Sequence, residues 1–305
     1  MLPQGPIIGS LAQPFDQGAI EPHRFLDLRR VPHAFERDQL TFGYQLGHLR
    51  PQLCIVAQLG LYLRRRDIAA DGRAELMDYP NVTWQVGEAA VVQRDGDGFL
   101  VTLGDGEVLA ARRLILAGGV RDELPAIEGL AERWGRHVFH CPYCHGYELD
   151  QGRIGVLAVS PMSIHHALML PDWGSTTFFL NGAFVPDAEQ LEQLAHRGVV
   201  VEPDRVLSIS GERLDVNLAD GRTAALDGLF VMPRTHQNSP LAEQLGCALV
   251  EGPMGLYLQT GETQETSVPG VFACGDAALA AGSVALAVGT GARAGAGAHQ
   301  SLIFR

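Results

Sequence analysis

The sequence predicts an α/β fold of two similar domains, each with a small antiparallel meander inserted in a parallel sheet. The pattern Val-x-Leu-x-Asp-Gly at residues 101–106 recurs at residues 216–221. Predicted hairpin strands precede each copy, and apolar runs follow at residues 114–117 and 229–232. Short apolar runs of this kind are typical of parallel strands that are buried on both faces.

The other predicted elements follow from periodicity and turn residues. Asp67 suits the start of a helix over residues 67–76, and Gly198 suits the end of one over residues 187–196. Asp95-Gly-Asp-Gly98 is a strong hairpin signal. The remaining predictions are helices at 163–170 and 283–302 and strands at 53–57, 82–86, 89–93, 98–103, 108–110, 154–159, 176–180, 199–202, 206–209, 214–218 and 271–273.

Composition limits the classes of function. The chain has 305 residues, 46% of them hydrophobic and 19% charged, which indicates a globular protein with a large core. A net charge of −12 argues against nucleic acid or an anionic membrane as the partner. Residues 1–5 do not resemble the start of a secretory signal, and five scattered cysteines form no disulfide framework, so we expect a cytoplasmic protein.

The segment around Cys141 and Cys144 carries the clearest chemical signal. The two cysteines have the spacing C-x-x-C, and Pro142 suits the first turn of a helix. A thiol at a helix start has a lowered pKa, because unpaired N–H groups and the helix dipole favour the thiolate. His145 follows directly and could exchange a proton with a thiol near neutral pH. The segment therefore predicts a redox dithiol.

Three other interpretations of this pair remain open. It could be half of a zinc site, although Cys54, Cys247 and Cys274 are isolated and supply no second pair. Cys-x-x-Cys-His is also the pattern of c-type haem attachment, and two buried structural cysteines would show the same spacing. We favour the redox interpretation and predict no bound metal.

A second candidate site lies near the C-terminus. Gly275-Asp276 forms a tight turn after the predicted strand 271–273 and leaves a carboxylate at the strand end. The small residues of the helix that follows allow close approach to a sheet or a flat ligand. Asp276 could equally be an ordinary turn aspartate.

Three motifs, in this order, resemble the thioredoxin reductase family of flavin-dependent disulfide oxidoreductases. They are the apolar strand Leu114-Ile-Leu-Ala-Gly-Gly119 with the crossover Leu124-Pro-Ala-Ile-Glu-Gly129, the segment Cys-Pro-Tyr-Cys-His-Gly-Tyr-Glu148, and Gly270-Val-Phe-Ala-Cys-Gly-Asp276. Within the family, the cysteine segment most resembles the dithiol oxidases that close disulfides in natural products.

The resemblance implies a fold of two Rossmann-like domains of the FAD/NAD(P)-binding type. FAD would contact Gly118, Gly119, Gly275, Asp276 and the helix start near Val284. Cys144 would lie beside the flavin, Cys141 would exchange with a small-molecule or protein dithiol, and His145 would be the acid/base. The implied domains are an FAD-binding domain (residues 1–122 and 248–305) and a redox-cysteine domain (residues 123–247), in a homodimer.

Two departures from the family pattern shape the predicted function. Residues 1–66 lack the glycine-rich turn that cradles the FAD pyrophosphate, as a shifted reading frame would produce. Residues 158–163 lack the glycines of a nicotinamide site, and Pro161 has no N–H. We therefore expect FAD-dependent dithiol/disulfide exchange without direct NADPH binding. The alternatives are an ordinary NADPH-dependent thioredoxin reductase and a flavin-free, non-catalytic relic.

Overall fold

The computed structural model describes residues 53–56 and 67–304. The interpretation of residues 1–66 as an atypical flavin segment therefore falls almost wholly outside the described residues. The described strands, in chain order, are β1 (Leu53–Val56), β2 (Ala89–Asp95), β3 (Gly98–Leu103), β4 (Val108–Ala111), β5 (Arg113–Leu116), β6 (Val120–Glu123), β7 (Val138–Phe139), β8 (Gln151–Leu157), β9 (Gly174–Phe179), β10 (Val200–Glu202), β11 (Val206–Ser210), β12 (Asp215–Leu218), β13 (Thr223–Ala225), β14 (Gly228–Val231), β15 (Arg234–Gln237), β16 (Leu249–Gly252), β17 (Gly255–Leu258) and β18 (Val271–Ala273).

The described α-helices are α1 (Asp67–Met77), α2 (Pro142–His145), α3 (Ile164–Met169), α4 (Ala188–His196), α5 (Leu241–Gln244) and α6 (Val284–Ile303). Among the residues described, no helix is both long and apolar enough to cross a lipid bilayer.

Two parallel sheets carry the fold. One has the strand order β1-β5-β18, and the other has the order β10-β9-β8-β14-β7. The inner strands β5 and β14 are buried at every position, as the apolar runs in the sequence predicted: Leu114 and Phe230 have no exposed surface. Ligands of open parallel sheets bind beyond the carboxyl ends of the strands, so those ends are where a site is expected.

The two copies of the sequence repeat adopt the same local structure. β2-β3-β4 and β11-β12-β13 are antiparallel meanders, and β4 and β13 lead directly into the central strands β5 and β14. Asp105 Oδ1 accepts a hydrogen bond from the N–H of Glu107 at 3.0 Å, and Asp220 Oδ1 accepts one from Arg222 at 2.9 Å. Gly106 and Gly221 both have positive φ, at 92° and 88°. The predicted fold class is confirmed.

A third sheet, β16-β17-β15-β6, connects the two halves of the chain. The chain leaves the first parallel sheet through β6 and returns through β15, and these two strands pair antiparallel from Val120 opposite Gln237 to Glu123 opposite Arg234. Residues 124–233, which include both cysteines, lie between the two crossings. The domain boundaries given above stay a prediction.

One predicted strand, at residues 82–86, is wrong. The segment is irregular, and Val86 is 79% exposed rather than packed under a sheet. The guanidinium of Arg73 lies 4.2 Å from the centre of the Trp84 ring, so this segment packs against α1 through its side chains. The strands and helices predicted elsewhere are present with ends shifted by a few residues, whereas β6, β7, β13 and β15–β17 were not predicted.

Candidate active site

Cys141 and Cys144 are joined in a disulfide at the start of α2. Cys141 is the residue before the helix and Pro142 is its first residue, as the sequence predicted. The Cys144 N–H donates to the Cys141 carbonyl at 3.2 Å, so the two residues share one turn. Cys141 is half-buried and Cys144 is exposed, so a substrate thiol can approach the disulfide from solvent.

His145 faces the interior rather than the solvent. The residue is 9% exposed, and its ring stacks on Phe139 of β7 with centroids 4.3 Å apart and planes 15° apart. This stacking holds in place the imidazole of the residue that follows Cys144 in the chain. Its role as acid/base stays a prediction.

Trp173, which sequence reasoning did not single out, packs against the same turn. A Cβ placed on Gly146 would lie 2.7 Å from Cγ of the Trp173 indole and 2.7 Å from the Pro142 carbonyl oxygen. The ring of Tyr143 meets that indole edge-on, with centroids 5.6 Å apart. Gly146 therefore lacks a side chain because the indole occupies the space, although its φ of −66° would suit any residue.

The second candidate site forms where β5 and β18 end. The Cys274 N–H donates to the Leu116 carbonyl at 3.1 Å, which brings the segments after the two strands side by side. Gly275 has a φ of +65°, and its N–H donates to Thr290 Oγ1 on α6 at 3.0 Å. This bond ties the turn to the helix that follows it.

Asp276 lies against the loop that leads into α6. A Cβ on Gly282 would lie 2.5 Å from Cγ of Asp276, so the loop backbone contacts the carboxylate directly. Ser283 caps α6, with its Oγ accepting from the Leu286 N–H at 3.3 Å, and Val284 is the first residue of the helix. The structure thus brings together Gly275, Asp276 and Val284.

Gly118 and Gly119 line a cavity that Ala277 also lines. Two amide side chains that the sequence did not reveal lie here: Gln237 lines the cavity, and Asn238 contacts Gly118. Gln237 Nε2 donates to the Ala277 carbonyl at 3.0 Å, and Asn238 Nδ2 donates to the Gly118 carbonyl at 3.3 Å. Both follow from the return of the chain through β15, a strand that no sequence pattern indicated.

The loop after β8 is closed on itself by a hydroxyl group. Ser163 is fully buried, and its Oγ accepts from the Val159 N–H at 3.0 Å and from the Ser160 N–H at 3.4 Å. The short turn Pro161–Ser163 then leads into α3. Two backbone donors at this strand end, the N–H groups of Val159 and Ser160, are therefore already engaged.

The other cysteines whose side chains are described are protected. Cys247 and Cys274 are buried, and burial raises the pKa of the Cys274 thiol to about 11. A thiol with a raised pKa is a poor nucleophile near neutral pH. Within residues 70–304, no group of three or more His, Cys, Asp or Glu side chains is arranged as a metal site.

The structure combines an accessible disulfide at a helix start with two parallel sheets of the dinucleotide-binding type. This combination is typical of a disulfide oxidoreductase. The family described as pyridine nucleotide-disulphide oxidoreductase matches residues 68–294. The chain therefore belongs to this family, and it is a thioredoxin reductase-like, FAD-dependent disulfide oxidoreductase.

Individual relatives agree with this assignment. The chain is 33% identical to the thioredoxin reductase sirT of Leptosphaeria maculans and 32% identical to the thioredoxin reductase tcpT of Claviceps purpurea, with 70% of each chain covered in both cases. Among solved structures, an oxidoreductase from Agrobacterium tumefaciens is 56% identical with a TM-score of 0.76, covering 78% of this chain and 80% of that one. HlmI is 36% identical with a TM-score of 0.70, covering 77% and 75%.

FAD is the cofactor of this family, and the described half of its site fits the group. Gly275 has a positive φ in the turn after β18 and precedes the carboxylate of Asp276. Gly118 and Gly119, after the neighbouring strand β5, have no side chains and line a cavity. The glycine-rich turn that binds the pyrophosphate in this family would precede residue 67, outside the described residues. The individual FAD contacts named from the sequence stay predictions.

Proposed function

We propose that this protein oxidises a dithiol to a disulfide through Cys141 and Cys144, with FAD as the electron acceptor and without direct binding of NADPH. The observation that carries the second part is the closed loop after β8. A nicotinamide dinucleotide binds where free N–H groups at a helix start face its pyrophosphate. Here the hydroxyl of Ser163 accepts from the N–H groups of Val159 and Ser160.

Four further features oppose a dinucleotide at this strand end. Pro161 has no N–H, and the side chains of Val159 and Met162 are 37% and 49% exposed on the same loop. After β9 the chain continues as Leu180-Asn181-Gly182, with no arginine to pair a 2′-phosphate. The net charge of −12 repels an anionic cofactor.

The exchange between the substrate dithiol and the Cys141–Cys144 disulfide balances by itself, and a bound FAD with a terminal acceptor would be needed to restore the protein disulfide. One substrate thiolate attacks the Cys141 sulfur, the Cys141–Cys144 bond breaks, and a mixed disulfide forms. The second substrate thiolate then displaces Cys141, so that the substrate leaves as a disulfide and the protein holds two thiols. FAD, when bound, supplies a two-electron acceptor that passes the electrons to oxygen or another acceptor. His145 would accept and release the proton of the Cys144 thiol.

Two other functions remain as outcomes of the test. The relatives from Leptosphaeria maculans and Claviceps purpurea are called thioredoxin reductases, so an ordinary NADPH-dependent thioredoxin reductase is the first alternative. A flavin-free relic would follow if residues 1–66 cannot hold FAD, and purified protein without the yellow colour of oxidised flavin would support it. We further propose a cytoplasmic homodimer, on the family resemblance, which size-exclusion chromatography with light scattering would test.

Steady-state turnover distinguishes these functions. FAD-loaded protein is mixed in air with dithiothreitol, and oxygen uptake is followed; in a second arm, NADPH is supplied with a disulfide substrate. We expect turnover in the first arm, none in the second, and no dithiol turnover in Cys141→Ser or Cys144→Ser. Full activity of either serine variant, or NADPH consumption by the parent, would overturn the proposal.

A further inference from the structure

We infer that Trp173 is a positioning residue for the redox turn, defined as residues 141–146, and that it holds this turn in the geometry that favours the disulfide over the dithiol. The inference rests on the proposed role of Cys141 and Cys144 as the redox pair. Trp173 lies between the short turn Leu170–Asp172 and β9, far from the cysteines in sequence.

The redox turn cannot hold its own shape. α2 comprises only residues Pro142–His145, a single helical turn, and one turn of helix is unfavourable in isolation because it fixes several dihedral angles for one hydrogen bond. Packing against neighbouring side chains must supply the rest. On the inner side, that packing is the stacking of His145 on Phe139.

Trp173 supplies further packing, at two points that flank Cys144 in the chain. The indole fills the space next to the Gly146 backbone, and its ring meets the ring of Tyr143 edge-on at 5.6 Å with planes at 90°. Edge-to-face contact is one of the favoured geometries of aromatic pairs. Tyr143 is otherwise 79% exposed, so this contact restrains a side chain that solvent would leave mobile.

Trp173 itself is firmly placed. It is half-buried and packs on the hydrophobic cluster under the five-stranded sheet, which includes Leu170, Phe178 and Phe230. A rigid indole anchored in the core thus contacts a short turn that must alternate between a closed disulfide and two separate thiols. A contact present in the closed form, and loosened when the turn relaxes, shifts the equilibrium toward the disulfide.

The test is a redox titration of the FAD-loaded protein in glutathione buffers of varied composition. Reducing the pair breaks one protein S–S bond, forms two thiols, and converts two molecules of reduced glutathione to one glutathione disulfide. Acid quenching, alkylation and mass analysis of the peptide with both cysteines give the reduced fraction. The variants are Trp173→Ala, Trp173→Phe and Tyr143→Ala, and Tyr147→Ala is the matched control, because Tyr147 is 80% exposed on the next turn.

In Trp173→Ala we expect the equilibrium to shift toward the dithiol by about three- to tenfold, the range that an aromatic contact of this kind is worth. Tyr143→Ala should shift the equilibrium in the same direction by less. Trp173→Phe should keep most of the parent's preference for the disulfide, and Tyr147→Ala should match the parent. A purely structural role would lower the free energy of unfolding and leave the redox midpoint unchanged.

The inference is overturned if the midpoint of Trp173→Ala equals that of the parent, or if Tyr147→Ala shifts it equally. Should Trp173→Ala fail to fold, an unchanged midpoint in Tyr143→Ala would overturn it instead. A parent protein whose pair does not titrate with glutathione at all would contradict the proposed function rather than the role of Trp173.

Discussion

Replacing Ser163 with alanine tests the closed loop after β8 directly. The hydroxyl is fully buried and accepts hydrogen bonds from two backbone N–H groups, at 3.0 Å from Val159 and 3.4 Å from Ser160. Leaving a buried donor without its acceptor costs about 1–3 kcal/mol. Because Val159 is 37% exposed and the second bond is long, we expect a loss of unfolding free energy at the lower end, about 1–2 kcal/mol.

Urea unfolding followed by circular dichroism measures this loss. Ser175→Ala is the matched control, since Ser175 is exposed in the same sheet and its hydroxyl makes a single 3.4 Å hydrogen bond to the Gly152 carbonyl. Surface changes of that kind stay within about 0.5 kcal/mol. If Ser163→Ala is no less stable than Ser175→Ala, the hydroxyl does not close the loop, and the structural case against a nicotinamide site fails.

Two further predictions concern other parts of the chain. His145→Asn should slow dithiol turnover by about 10²–10⁴-fold, the usual worth of a placed proton-transfer group, and unchanged turnover would remove His145 from the mechanism. Arg222 donates to both Glu202 oxygens, at 2.6 and 3.0 Å, and this pairing holds the pKa of Glu202 below its ordinary value. Because the pKa of Glu202 is lower in the folded state, the ionised carboxylate stabilises the fold above the ordinary pKa, and this stability is lost as the pH falls through the pKa of the folded state. Glu202→Gln should therefore lower the free energy of unfolding at neutral pH and match the parent in acid. An equal loss of unfolding free energy at both pH values would contradict this.

Local sequence signals predicted most of the fold. The two meanders contain the same turn, in which an aspartate accepts a hydrogen bond from the residue two positions on and the next residue is a glycine with positive φ. The sequence shows this turn directly, as Asp105-Gly106 and Asp220-Gly221. The helix start at the two cysteines was also predictable, because Pro142 suits the first turn of a helix. Predictions that rest on such local rules succeeded.

Features that depend on contacts between distant segments were not predictable. β6 and β15 pair only because the chain leaves one sheet and returns beside its own exit. The sequence therefore gave no sign that Gln237 lines the cavity at Gly118 or that Asn238 donates to the Gly118 carbonyl. Nothing in the sequence singled out Trp173, and its contact with Gly146 appears only once the turn is folded. The strand predicted at residues 82–86 is wrong because this segment pairs with no strand, and Trp84 packs on Arg73 of α1 instead.

Anaerobic stopped-flow mixing tests the central claim most directly. The FAD-loaded protein is mixed separately with excess NADPH, with NADH and with a small dithiol, and the visible absorbance of the oxidised flavin is followed. The proposed function predicts rapid bleaching by the dithiol, loss of that bleaching in Cys144→Ser, and no bleaching by either nicotinamide. Rapid bleaching by NADPH would show an ordinary reductase and contradict the assignment of the Ser163 loop.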